Sequence, residues 1–264
     1  MDLADAVEEL RGLVIPYPET LKIVLDELAR LQDAEKQRHE TEDEDLDFDL
    51  PDYRRRIAAA HQEAKPISNP WMQTYTGKAF VLDPPDPMLV DIYDIAKALS
   101  CLARYNGHTN ESPVYSVAQH SVLVARHLPP ILQLYGLMHD AAEAYLGDLA
   151  NPVKELVPEF KRLEYTVQGA IHERFNLEWP LPEEWAREIK RVDLAALITE
   201  KRDLFASQLR WKVDELGIEP WNEPVFVWSQ REAKIKFLEM FAELTVVPDF
   251  ADRPYGVIGW RPWN

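Results

Sequence analysis

Cysteine is almost absent: Cys101 is the single one in 264 residues. No internal disulfide can form, and the composition fits a reducing compartment. Cys101 lies in the apolar run Ala98-Leu99-Ser100-Cys101-Leu102, where a buried, inert thiol is expected. Glycine is also scarce, at 9 residues, and apolar residues recur mostly at helical spacing, so helix is expected over sheet. Positive charge is in deficit. Lys and Arg number 29 against 46 Asp and Glu, a formal net charge of −17. A nonspecific nucleic-acid binder needs basic surface to neutralise phosphates, so that class is excluded, while a small nucleotide is not. No apolar run approaches the ~20 residues of a membrane span. The acidic start Met1-Asp2-Leu3-Ala4-Asp5 is unlike a signal peptide. A cytoplasmic protein without a membrane partner is expected.

What is present divides in two. Residues 1–65 read as an N-terminal helical extension and acidic linker. Leu21, Val24, Leu25, Leu28 and Leu31 give one apolar helix face, and the run Glu42-Asp43-Glu44-Asp45 repels itself into an extended spacer. Residues 66–264 read as the main domain, ending in a Pro- and Trp-containing strap from Val246. Its expected class is all-α, with a small β-hairpin near 73–82 around Gly77. Helices are expected at about 91–104, 116–128, 131–146, 158–175, 182–209 and 229–243, with Asp91 and Ser116 as N-caps.

Four residues on these helices are polar interruptions of apolar faces: His120, the adjacent pair His139-Asp140, and Asp193. Glu143 lies three residues after Asp140 and shares its face. Asp193 shares a face with Ile189, Ala196 and Leu197, so it looks inward. Ionised carboxylates facing a core are costly unless paired or bound to a cation. Two imidazoles and two carboxylates make a mixed nitrogen and oxygen set suited to one Mn²⁺, Fe²⁺, Co²⁺, Ni²⁺, Zn²⁺ or Mg²⁺ ion. Four ligands on an octahedral ion leave positions for water and a phosphoryl oxygen, which is what metal-assisted hydrolysis needs.

At these residues, from about Ile92 to Leu209, the chain resembles the HD-domain metal-dependent phosphohydrolases. The resemblance is strongest over His139-Asp140-Ala141-Ala142-Glu143-Ala144-Tyr145-Leu146-Gly147-Asp148-Leu149, with Pro152-Val153-Lys154 following. The branch is that of the 5′-deoxynucleotidases and phage deoxynucleoside triphosphate triphosphohydrolases. The resemblance implies that His120, His139, Asp140 and Asp193 hold the metal. It also implies that Glu143 takes part in catalysis, that Asp148 lies near the substrate, and that Arg104 contacts the nucleotide phosphate.

In the expected chemistry, Glu143 or Asp148 orients or deprotonates a metal-bound water, while Arg104, Lys154 and Lys78 offset phosphate charge. His108 is a candidate donor behind the ligands or acid for the leaving group, and Tyr105 and Phe80 are candidates to stack on a base. His172, between the charged Glu173 and Arg174 and the apolar Ala170-Ile171, is expected on an exposed face, so a second metal is not expected. The expected activity is release of phosphate from 5′-(deoxy)nucleoside monophosphates. The alternatives are a triphosphohydrolase releasing tripolyphosphate and, in another class, a non-catalytic nucleotide sensor. A homo-oligomer is compatible with the amphipathic 21–31 segment.

Overall fold

The computed structural model describes residues 68–109, 113–207 and 209–245. The expected 21–31 helix, the acidic linker and the strap from Val246 lie outside them. Two short strands, β1 (Trp71–Gln73) and β2 (Ala79–Val81), pair antiparallel with Met72 opposite Phe80. Then come α1 (Ile92–Cys101), α2 (Val117–Arg126), α3 (Gln133–Met138), α4 (Glu143–Leu146), α5 (Asn151–Lys154), α6 (Pro158–Arg174), α7 (Glu183–Leu204) and α8 (Gln230–Thr245). The class is all-α with a small hairpin, as the sequence suggests. Among the described residues no helix is long and apolar enough to cross a membrane.

Helix α2 is central: α1, α3, α7 and α8 all pack on it. Its Ser116 N-cap accepts from Gln119 N, and the Asp91 N-cap of α1 accepts from Tyr93 N. With neighbours on several sides, α2 buries Val117, Ala118, His120, Val122, Val124 and Ala125. The hairpin is tied down by Asp94, buried in the first turn of α1, which accepts from Thr76 N at 2.7 Å and Thr76 Oγ1 at 2.9 Å. Phe80 stacks on Tyr145 of α4 with ring centroids 4.0 Å apart. Gly136 lets α3 approach α2 closely, since a Cβ there would meet Leu128 Cδ1 at 2.2 Å and Ala125 Cα at 3.3 Å.

Several expectations are corrected. Cys101 is exposed, because it shares a face of α1 with Lys97, whose Nζ lies 3.0 Å from its Sγ. The longest expected helix, 182–209, ends at Leu204. The segment 131–146 is not one helix: it breaks between Met138 and Glu143, at the His139-Asp140 pair.

The cause of the break is a side chain from α6. In a continuous helix Ala142 N–H would donate to the Met138 carbonyl. Gln168 inserts its amide into that bond. Its Oε1 accepts from Ala142 N at 3.0 Å, and its Nε2 donates to Met138 O at 2.7 Å. Insertion of a side chain into the ladder is an established way to break a helix. Gln168 Nε2 also lies 3.0 Å from His172 Nε2, and His172 Nδ1 lies 2.9 Å from the Glu178 carbonyl. The carbonyl can only accept, so Nδ1 carries the proton and Nε2 accepts from Gln168. His172 is therefore a buried strut and not the exposed residue expected, and burial lowers its pKa.

Gln168→Leu is expected to destabilise the fold by about 1–3 kcal/mol, because it strips buried polar groups of their partner. Urea unfolding measures this, and a variant within about 0.5 kcal/mol of the parent, the range of ordinary surface changes, would mean that the Gln168 amide does not hold the break.

Candidate metal centre

Two helices and the break bring the sequence-nominated ligands together. His120 projects from α2 and is fully buried. His139 and Asp140 sit in the break, and Asp193 projects from α7. His120 Nε2 lies 3.3 Å from His139 Nε2, 3.6 Å from Asp140 Oδ2 and 3.2 Å from Asp193 Oδ1. His139 Nε2 lies 3.2 Å from Asp140 Oδ2 and 4.0 Å from Asp193 Oδ1. The ligand atoms of His120, His139 and Asp140 fall within 4.8 Å of one another, a spacing that can hold one ion.

The tautomers follow from the outer nitrogens. His139 Nδ1 lies 2.7 Å from the Gly136 carbonyl, so it donates. His120 Nδ1 lies 2.6 Å from Glu200 Oε1. Burial opposes charge on Glu200, but Arg104, His120 and the Tyr105 hydroxyl outweigh it and hold its pKa at about 2. Glu200 is thus an ionised acceptor, and His120 Nδ1 donates to it. Both Nε2 lone pairs then face each other with two carboxylate oxygens beside them. Arg104 Nη1 approaches Asp140 Oδ2 at 3.6 Å, too far for a hydrogen bond. Donors placed in this way could hold a cation.

A proton is the smallest cation that fits. Burial and Arg104 oppose a charge on His120, yet Glu200 and Asp193 outweigh them and push its pKa up to about 9. Burial opposes ionisation of Asp140 and Asp193 too. His139 and His120 nonetheless hold Asp140 well below the usual carboxylate range, and His120, His139 and Lys190 do the same for Asp193. Lys190 Nζ takes the other oxygen of Asp193 at 2.6 Å. A divalent ion held by His120, His139 and Asp140 would meet two imidazoles and one ionised carboxylate; Asp193 lies outside that group, its Oδ1 3.2 Å from His120 Nε2.

Glu143 is buried, and its Oε2 has no hydrogen-bond partner among the described residues, while Oε1 lies 3.4 Å from Lys154 Nζ. Burial, with Asp140 and Asp148, pushes its pKa up to about 9. The Asp148 carboxyl is also raised, chiefly by burial, with Arg104 pulling the other way. Lys154 is shared with Glu164 at 2.6 Å.

Of the nominated substrate contacts, Arg104 and Lys154 reach the cluster. Tyr105 does not offer a free ring: its hydroxyl donates to Glu200, and its ring meets Phe205 at 5.0 Å and Trp211 at 6.0 Å. Phe80 is core, stacked on Tyr145. Lys78 pairs with Asp91 at 2.8 Å. His108 is exposed, and none of the described contacts ties its ring to the cluster.

Sequence reasoning missed Glu200, Gln168 and Tyr115. Glu200 had a legible signal. It follows Asp193 by seven residues, two helical turns, and so lies on the same face of α7 about 10.5 Å further on. The His120 ring spans these two carboxylates, with Nε2 toward Asp193 and Nδ1 toward Glu200.

No protein-family model matches the chain. It is 40% identical over 134 residues to the uncharacterized protein YfdR of Escherichia coli (strain K12), across 51% of this chain and 72% of that one. It is 37% identical over 142 residues to an uncharacterized protein of Rhodobacter capsulatus, with the same shares covered. At that identity and coverage, the chain belongs to the family that includes Escherichia coli YfdR.

Proposed function

We propose that this protein is a divalent-metal-dependent phosphohydrolase of the HD-domain type, releasing inorganic phosphate from 5′-(deoxy)nucleoside monophosphates. The observation that carries the reading is the convergence of the His120 and His139 Nε2 lone pairs on Asp140 and Asp193, with both Nδ1 positions committed elsewhere. A divalent ion held by these residues supplies a Lewis acid and a bound water of lowered pKa.

The chain's own groups do the rest. Glu143, with one carboxylate oxygen unpartnered beside the ligands, holds or moves a proton. Arg104 and Lys154 draw the substrate phosphate toward the ligands. Burial, then Asp140 and Asp148, raise the Glu143 pKa and so keep that proton available near neutral pH.

The size of the phosphate follows from the charge around the centre. Arg104 is already paired with Glu200, and Lys154 with Glu143 and Glu164. Two compensated cations suit one phosphate group better than three, which favours the monophosphate over the triphosphate.

The test is a product assay with Mn²⁺, Co²⁺ and Mg²⁺ on ribo- and deoxynucleoside mono- and triphosphates. Phosphate plus nucleoside is expected. Tripolyphosphate plus nucleoside would make the protein a triphosphohydrolase, and binding without turnover of any substrate would make it a sensor.

A further inference from the structure

One buried carboxylate joins the two halves of the centre. Glu200 has no exposed surface. Its Oε1 accepts from His120 Nδ1 at 2.6 Å and Tyr115 Oη at 2.8 Å. Its Oε2 accepts from Arg104 Nε at 3.2 Å and from the Tyr105 hydroxyl. Four donors fill the acceptor capacity of a carboxylate. The Oε1 side faces the ligand histidine on α2, and the Oε2 side faces the turn that carries Arg104.

That turn is conformationally costly. Tyr105 and Asn106 adopt φ of 55° and 52°, left-handed values that disfavour residues other than glycine. Such backbone persists where its surroundings over-determine it. Here the Tyr105 hydroxyl is anchored on Glu200, and its ring is wedged against Phe205 and Trp211. The same oxygen that fixes the turn also fixes Arg104, the adjacent residue.

We propose that Glu200 is a positioning residue that ties metal affinity to phosphate affinity, orienting His120 through one carboxylate oxygen and Arg104 through the other. The Arg104 half rests on the phosphohydrolase reading. The His120 half needs only that the site binds a cation, and a hydrogen-bonded carboxylate behind a ligand imidazole fixes its tautomer and raises its basicity.

The experiment uses the full chain with Glu200→Gln, Tyr105→Phe and Tyr115→Phe. Calorimetry reads Co²⁺ affinity, and a second titration of the Co²⁺-loaded protein reads inorganic phosphate affinity. Glu200→Gln is expected to weaken Co²⁺ binding by about 10- to 100-fold and phosphate binding with it. Tyr105→Phe, which removes a donor from Oε2, should weaken phosphate by about 2- to 10-fold and leave Co²⁺ nearly unchanged. Tyr115→Phe, on Oε1, should do the reverse.

A merely structural carboxylate would lower the melting temperature of all three variants without this split. Unchanged Co²⁺ and phosphate affinities in folded Glu200→Gln would overturn the proposal. If Glu200→Gln does not fold, the two tyrosine variants decide it: equal losses of both affinities in each, or none, would overturn it. A parent that hydrolyses no nucleotide yet shows the split would sink the phosphohydrolase reading and leave the coupling standing. A parent that turns over while Glu200→Gln binds both ligands normally would do the opposite.

Discussion

Glu143→Gln is expected to lower kcat for the proposed nucleoside monophosphate hydrolysis by about 10²- to 10⁴-fold, the usual contribution of a positioned acid or base, and to leave Co²⁺ affinity nearly unchanged. Glutamine keeps the shape of the side chain and can still face Lys154 through its carbonyl oxygen, which lies 3.4 Å from Nζ in the glutamate. It cannot take up and release a proton at Oε2, the buried oxygen without a partner. Because the interaction is used at the reacting atoms and not in binding, the loss belongs in kcat, with KM little affected. Steady-state kinetics at saturating substrate measures it. An unchanged kcat would transfer the proton role to Asp148, and Asp148→Asn would then show the larger loss.

The second large effect concerns pH. His120 must give up a proton before its Nε2 can bind an ion, and its pKa stands at about 9. Below that value the metal competes with a proton, so apparent affinity should rise about tenfold per pH unit, roughly 100-fold between pH 6 and 8. The sign is fixed: a raised histidine pKa penalises metal most at low pH, and the penalty fades as pH rises through about 9. Uptake should release about one proton per ion near neutrality, which calorimetry in buffers of different ionisation enthalpy measures. Asp140→Ala should abolish both uptake and proton release, since it removes a ligand lying 3.2 Å from His139 Nε2. Affinity that is flat from pH 6 to 8 would mean that the proton and the ion do not share a site.

The clustering of the candidate ligands was legible because each is a polar residue breaking an apolar helix face, and such a break requires a compensating partner. The hairpin was legible from its β-branched and aromatic residues around Gly77. The helix break at His139-Asp140 was not, because its cause lies in Gln168, 26 residues beyond Ala142. His172 was misread from its immediate neighbours. On a helix, Glu173 and Arg174 point elsewhere, and the informative positions are Gln168 and Phe175, four before and three after, which are both buried. Cys101 illustrates the same rule. Its apolar run suggested burial, while Lys97, four residues before it, marked the outer face. The stacking roles given to Tyr105 and Phe80 failed for a different reason, since an aromatic ring beside a site serves packing and recognition equally well until its neighbours are known.

The Gln168 amide makes the spacing of the ligand pair a tertiary property. A peptide covering 131–146 contains His139, Asp140 and Glu143, but nothing in it would replace the bond between Ala142 and Met138, so it would close the helical turn that the protein keeps open. Helix α6 is tightly fitted in turn: a Cβ on Gly169, next to Gln168, would meet Trp179 Nε1 at 2.9 Å. The separation of the pair therefore depends on α6 being docked. Substitutions along the α6 seam are therefore expected to be felt at the candidate ligands without touching them.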